Sequence, residues 1–176
     1  MNMKIKNRLF LLITAMAVMS SSAFAATTAT QTFTANVTAG TCTIAKLDQT
    51  FDLGLLNKAE LTTKDWAIPS DGRGFVVTSF DVTGCPNATT KVKVTPSFSP
   101  DSTYDYLVLN KGTARGIHFS TNYGSGKQWH NNQSREFTLT NGAVQVPFTG
   151  SAERSKSNAV STGTLDFQLA FTFDFR

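Results

Sequence analysis

Two histidines, His118 and His130, and two cysteines, Cys42 and Cys85, are the residues best suited to catalysis or to transition-metal binding. Neither histidine lies in a nucleophile motif with serine or cysteine, and the chain contains no His-x-x-x-His pair or paired-carboxylate signature. No histidine or further cysteine stands at metal-ligand spacing from either cysteine. The sequence therefore predicts no enzyme activity, no cofactor and no metal site.

The first 25 residues have the three parts of a secretory signal peptide. They contain a basic start with three cationic residues, an apolar run over 9–19, and the small-residue cleavage pattern Ala23-Phe24-Ala25. The apolar run is too short to span a bilayer, which takes about 20 apolar residues. We therefore expect 1–25 to be removed, and the exported chain to contain no membrane span.

Both cysteines lie in the exported part of the chain. An exported chain with two cysteines most simply joins them in a disulfide, because the compartment is oxidising. In the chain-entropy model, closing a loop of this length stabilises the fold by about 4 kcal/mol. The alternatives are two free thiols or half of a metal site.

The net charge and the length of the chain exclude some classes of function. The whole chain has 16 basic and 12 acidic residues, but three of the basic ones lie in the signal peptide, so the net charge of the mature part is +1. No basic tract remains that indicates nucleic-acid binding. Of the 176 residues, 151 remain after the signal peptide, which fits one domain.

Short segments with strand-like alternation follow one another along the mature chain, separated by clusters rich in Gly, Pro, Asn, Asp and Ser. No segment of twelve or more residues shows a sustained helical stripe, although 57–66 has room for a short helical turn. This spacing predicts an all-β sandwich or barrel. The predicted strands are 31–37, 51–53, 75–82, 91–95, 106–109, 116–121, 136–139, 144–150 and 165–175.

The last predicted strand has the strongest alternation in the chain. Large apolar residues share one parity, while the other parity is mostly polar, which predicts a half-buried strand. Because no sequence follows that could cover its far edge, we expect this edge to need a partner. The apolar residues of the predicted groove are Leu165, Phe167, Leu169, Phe171, Phe173 and Phe175.

The start of the mature chain, 26–40, has a different character. It is small, polar and Thr-rich, with a weak alternation in which only Phe33 and Val37 are large apolar residues. Such a strand contributes little to a core of its own, so we expect it to lie in the groove of another molecule. The residues predicted to enter that groove are Ala29, Gln31, Phe33, Ala35 and Val37.

Six segments resemble, in the same order, segments of pilins of the chaperone–usher class, particularly those of type 1-like fimbriae. Two positions depart from that pattern: Ala35 replaces the usual Gly, and Phe175 replaces the usual Tyr. The matching segments are TFTANV over 32–37, CTI over 42–44, DQTFDLG over 48–54, FDVTGCP over 80–86, VPF over 146–148, and the chain end, where Gly163 is fourteenth from the last residue and Phe175 next to last.

The resemblance implies an incomplete immunoglobulin-like β-sandwich that lacks its seventh strand and is completed by donor-strand exchange. It divides the chain into a signal peptide (1–25), a donor-strand extension (26–40) and a pilin domain (41–176). The implied function is that of a structural fimbrial subunit that supports cell adhesion and is exported through the periplasm to the cell surface. The implied partners are a periplasmic pilus chaperone, an outer-membrane usher and neighbouring pilin subunits in a head-to-tail polymer.

A second interpretation is a minor adaptor or an adhesive tip subunit with a carbohydrate-binding surface loop. The residues that suggest it are Trp129, His130, Asn131 and Asn132, with Tyr123 nearby. A tryptophan buried beside a turn is the other interpretation of the same residues. The donor-like extension and the lack of room for an added receptor-binding domain favour the structural subunit over a tip adhesin.

Overall fold

The computed structural model describes residues 30–38, 42–61, 68–69, 71–155 and 158–176; within 30–38 it describes the backbone and the Thr32 side chain. Over this part of the chain the fold consists of eleven strands and one short helix. In chain order they are β1 (Thr30–Thr38), β2 (Thr43–Ala45), β3 (Thr50–Asp52), α1 (Lys58–Leu61), β4 (Phe75–Thr83), β5 (Lys91–Phe98), β6 (Leu107–Leu109), β7 (Ile117–Gly124), β8 (Lys127–Gln128), β9 (Arg135–Thr138), β10 (Val144–Arg154) and β11 (Asp166–Phe175).

The strands form two sheets that pack face to face. The first has the order β3-β1-β11-β5-β9, and the second has the order β2-β4-β10-β7-β6, with β8 also paired to β7. Every ladder is antiparallel except the one between β1 and β11, which is parallel. The predicted all-β, immunoglobulin-like sandwich is confirmed.

The core between the sheets is built on phenylalanines. Phe80 of the second sheet lies with its ring centroid 4.9 Å from that of Phe171 and 5.3 Å from that of Phe173 in the first sheet. Phe119 makes the same kind of contact with Phe167, at 5.3 Å. Ring contacts of this geometry add about 0.5–1.5 kcal/mol each beyond area burial. The alternation of β11 therefore supplies one wall of the core.

One strand departs from the predicted pattern. Strand β5 continues through Pro96 to Phe98, whereas the sequence predicts an end at Thr95. Proline is tolerated there because β9 pairs only with Lys91–Val94, so the outer edge of β5 is free of a ladder beyond Val94. The predicted helical turn is present as α1.

The two cysteines are joined. Cys42 lies just before β2 and forms a disulfide with Cys85, which follows β4 after one glycine, over a sequence separation of 43. Because β2 pairs with the end of β4, the bond ties together two strands that are already neighbours. The predicted disulfide is confirmed.

Candidate strand-binding groove

The predicted groove residues share the inner face of the last strand. Phe175 at the strand end is only partly buried and packs against the core. Of the residues of opposite parity, Gln168 and Thr172 are exposed and the other three are partly buried. The remaining groove residues are at most 2% exposed: Leu165, Phe167, Leu169, Phe171 and Phe173.

The two edges of β11 have different partners. One edge is paired with β5 from Leu169 to Phe175. The other edge is paired with β1 of the same chain, from Thr30 opposite Asp166 to Thr38 opposite Asp174. On its far side, the start of β1 is paired with β3. The strand β1 therefore lies between β3 and β11 as the missing member of the first sheet.

The predicted donor residues lie along β1, except Ala29, which is outside the described residues. The parallel register places them opposite the groove residues at every second position: Gln31 with Phe167, Phe33 with Leu169, Ala35 with Phe171, and Val37 with Phe173. The two sets that the sequence singles out are thus brought together in one ladder. They meet within one chain, whereas the sequence predicts a meeting between two chains.

The covalent connection explains why this ladder is parallel. The C-terminal end of β1 is joined to Cys42 through three residues, and the disulfide holds Cys42 beside Cys85. A few residues after Cys85, the Thr90 N–H donates to the Arg176 carbonyl just beyond β11. We call this end of the sandwich the anchor end. A strand that must reach the anchor end with its own C-terminus can only run in the direction of β11.

At the opposite end, which we call the far end, the groove opens between β3 and the start of β11. Asp52 and Asp166 flank the first residue of β1 there. A shallow depression of about 540 Å³ lies on the outer face of the sheet close to this opening. Lys111 borders it, and its Nζ donates to Gln168 Oε1 at 3.0 Å. The depression is lined mainly by polar side chains, so it offers no apolar pocket beyond the groove itself.

The loop suggested for carbohydrate stacking does not present its tryptophan. Trp129 is completely buried, and its ring centroid lies 4.9 Å from Tyr123 and 5.6 Å from Phe171. His130 bonds Asp105 through Nδ1 at 2.6 Å, and the Asn131 side chain accepts from the Phe98 N–H at 2.9 Å. The interpretation of Trp129 as a sugar-stacking residue is wrong, because the ring is part of the core.

His118 is buried in a polar cluster on the outer face of the second sheet. His118 is 7% exposed and stands opposite Glu153 in the ladder between β7 and β10. Burial lowers the pKa of His118, partly offset by Asp101, and burial raises the pKa of Glu153 to about 7. No local pattern indicates this cluster, because alternation along β10 places Glu153 on the solvent-facing side.

Within the described ranges, no group of three or more His, Cys, Asp or Glu side chains is arranged to hold a metal ion. Among the same residues, no helix has the length and apolar character to cross a membrane.

No family model matches this chain, and no curated protein matches its sequence. Solved structures do match. The P pilus rod subunit PapA superposes with a TM-score of 0.63 at 17% identity, over 77% of this chain and 99% of that chain. A chaperone–usher pilus structure superposes with a TM-score of 0.66 at 18% identity, over 80% and 91% of the two chains.

The fold is that of a pilus rod subunit. The same pilin fold also occurs as part of a longer protein, the CupB6 tip adhesin from Pseudomonas aeruginosa. That match has a TM-score of 0.52 at 7% identity and covers 85% of this chain but 40% of the adhesin. The pilin fold alone is therefore compatible with a place in a rod or near a tip.

Proposed function

We propose that this chain is a structural subunit of a chaperone–usher pilus and polymerises by donor-strand exchange. The observation that carries the proposal is the ladder between β1 and β11, in which the N-terminal segment occupies a groove lined by the apolar face of the last strand. A segment able to fill its own groove is also able to fill the same groove in a second copy. The similarity to pilus rod subunits supports this function.

The proposal assigns a role to each part of the sequence. Residues 1–25 direct export and are removed, 26–40 form the exchangeable donor strand, and 41–176 form the pilin domain. In the exchanged state the donor residues Gln31, Phe33, Ala35 and Val37, together with Ala29, enter the groove of the next subunit. Burying Phe33 or Val37 contributes about 1.5–3 kcal/mol each, and backbone hydrogen bonds add to this.

Head-to-tail assembly requires the exchanged strand to run in the opposite direction. The subunit's own extension leaves from the anchor end, beside Cys42. If each subunit donates at the anchor end and accepts at the far end, the incoming strand points its C-terminus toward the far end and lies antiparallel to β11. An antiparallel ladder is slightly more stable per residue than a parallel one. The exchange therefore replaces the parallel pairing with a better one and builds an open fibre.

The same groove indicates which kinds of protein the chain binds during export. Until β1 or another strand fills it, the edge of β11 from Asp166 to Asp174 is a long apolar template for aggregation. We propose that a periplasmic pilus chaperone lends a strand to this edge and that exchange takes place at an outer-membrane usher. The fibre at the cell surface then supports adhesion. The alternative, a minor adaptor or tip subunit, uses the same groove and differs in its number of copies per fibre.

A labelled peptide tests the proposal directly. The mature chain is refolded from guanidinium chloride with an excess of fluorescent peptide 26–40, and the products are separated by native electrophoresis. We expect a stable one-to-one complex, because the peptide competes with the chain's own β1 for the edge of β11. The matched control is the same peptide with Phe33→Asp, which we expect to be excluded because a buried unpaired charge is costly. If neither peptide enters, the proposed function is wrong.

A further inference from the structure

Three large apolar side chains remain exposed near the far end of the sandwich. Phe75 is 50% exposed, Val77 is 71% exposed and Leu55 is 53% exposed. Among the phenylalanines whose side chains are described, Phe75 is the one that is exposed. We call Leu55, Phe75 and Val77 the far-end patch.

Backbone contacts bring the members of the patch to one place. Phe75 and Val77 are alternate residues on the outer face of β4, because Val76 between them is buried in the core. The Gly74 N–H donates to the Leu53 carbonyl at 2.9 Å. The Arg73 guanidinium donates to the Leu55 carbonyl. The turn before β4 and the segment after β3 are therefore held side by side.

The patch adjoins the opening of the groove. Asp52, the last residue of β3, pairs with Thr30 of β1, and Thr30 pairs with Asp166 of β11. Leu53 follows directly and is bonded to Gly74, next to Phe75. The far-end patch thus lies beside the point where a strand from another subunit passes out of the groove.

The connection between the donor strand and the donor's pilin domain limits how far that domain can lie from the patch. This inference rests on the proposed function. In the exchanged state, the donor strand ends at Thr38, near the far end of the acceptor. Cys42, which the disulfide fixes to the donor's pilin domain, follows four residues later. Four residues span at most about 14 Å when fully extended. The pilin domain of the donor must therefore lie within about 14 Å of the far end of the acceptor.

We infer that the far-end patch is the contact surface for the body of a second copy of this chain, the copy whose strand fills the groove. The donor presents its anchor end, where Thr83, Gly84 and Pro86 are exposed. On the acceptor, the exposed pair Asp71 and Arg73 forms a polar rim beside the apolar side chains. An apolar centre with a polar rim is the usual anatomy of a protein–protein contact.

The test distinguishes insertion of the donor strand from contact between the pilin domains of two copies. The mature chain is prepared as wild type, as Val77→Lys, and as the matched control Thr103→Lys, which places the same charge at an exposed position between β5 and β6, outside the far-end patch. Each is refolded once with labelled peptide 26–40, which lacks the pilin domain, and once alone at high concentration. Peptide uptake is followed by native electrophoresis, and oligomers are followed by size-exclusion chromatography with light scattering.

We expect Val77→Lys to take up peptide within about twofold of wild type but to form oligomers at least about tenfold less, since buried apolar contacts dominate interface energies. Thr103→Lys should match wild type in both arms. Should Val77→Lys fail to fold, the double variant Phe75→Thr with Val77→Thr keeps strand propensity and serves in its place. The inference is overturned if the patch variant oligomerises like wild type, or if peptide uptake falls in parallel. A wild type that oligomerises without taking up peptide contradicts the proposed function, and the inference falls with it.

Discussion

Ala35 stands directly opposite Phe171 at the middle of the parallel ladder between β1 and β11. Phe171 is 1% exposed and contacts the rings of Phe80, Phe148 and Trp129. The same aromatic residue therefore belongs to the edge that β1 covers and to the centre of the core. This double role links the occupancy of the groove to the stability of the whole domain.

Removing the N-terminal segment distinguishes the role of the chain as strand donor from its role as strand acceptor. A chain that lacks 26–40 keeps the groove and loses its own strand, so we expect it to bind the pilus chaperone but to fail to enter a second subunit. Co-purification with a tagged chaperone and electron microscopy of fibres measure the two outcomes. A chain in which 26–40 is scrambled at constant composition is the matched control. Normal polymerisation of the truncated chain contradicts the donor role.

A charge in the groove should abolish folding, while a charge on the other face of the same strand should not. We expect Phe171→Asp to remove the chain from the periplasm, because losing a buried phenylalanine alone costs about 3–5 kcal/mol and an unpaired buried charge costs more. Thr172→Asp, one residue further on the exposed face, is the control and should accumulate normally. Immunoblots of periplasmic extracts compare them. Equal levels would count against the groove.

The disulfide should be worth several kcal/mol to the mature chain. Replacing both Cys42 and Cys85 by serine opens a loop with a sequence separation of 43. We expect the free energy of unfolding to fall by about 4 kcal/mol in the chain-entropy model. Guanidinium denaturation followed by tryptophan fluorescence measures it, with the reduced wild type as a second reference. An unchanged midpoint contradicts a stabilising role for the bond.

The buried cluster on the second sheet should make stability depend on pH. Burial raises the pKa of Glu153 from its usual 4.5 to about 7, so between these values the folded state holds a proton that the unfolded state releases. The free energy of unfolding should therefore fall as the pH rises from 4.5 to 7, by about 3 kcal/mol at most. This contribution is fully present below pH 4.5 and is lost above pH 7.

Glu153→Gln tests that dependence because glutamine is neutral throughout. We expect the variant to be more stable than wild type at pH 8 and similar to it at pH 4.5. His118 acts in the opposite sense: burial lowers its pKa, so its contribution is lost as the pH falls below 6.5. Glu136→Gln, at an exposed ion pair with Lys91, is the control and should change the curve little. A variant curve parallel to that of wild type between pH 4.5 and 7 contradicts the prediction.

Local sequence patterns predict much of the fold. The alternation from Leu165 to Phe175 predicts β11 and its buried face, and the turn clusters predict most other strand ends within a few residues. The sequence does not predict strands β2 and β8, because segments of three and two residues are too short to show a sustained period. The end of β5 was predicted too early, because the effect of Pro96 depends on whether a neighbouring strand needs its missing N–H.

Side-chain environment was harder to predict than strand position. Glu153 and His118 have the parity of exposed residues, yet they are buried on the outer face of the sheet, where the segment between β5 and β6 contributes Asp101 near His118. Trp129 has the neighbours of a surface loop, yet its ring lies in the core. Such burial depends on chain segments distant in sequence, which no local period records.

The order of the amino acids alone predicts an all-β domain with one disulfide, an alternating last strand whose edges both need a partner, and a Thr-rich segment suited to fill a groove. Only the tertiary structure decided which strand fills the groove and in which direction it runs. The reason is geometric: alternation encodes which face of a strand is buried, but the direction of β1 depends on where the Cys42–Cys85 bond anchors it relative to the end of β11.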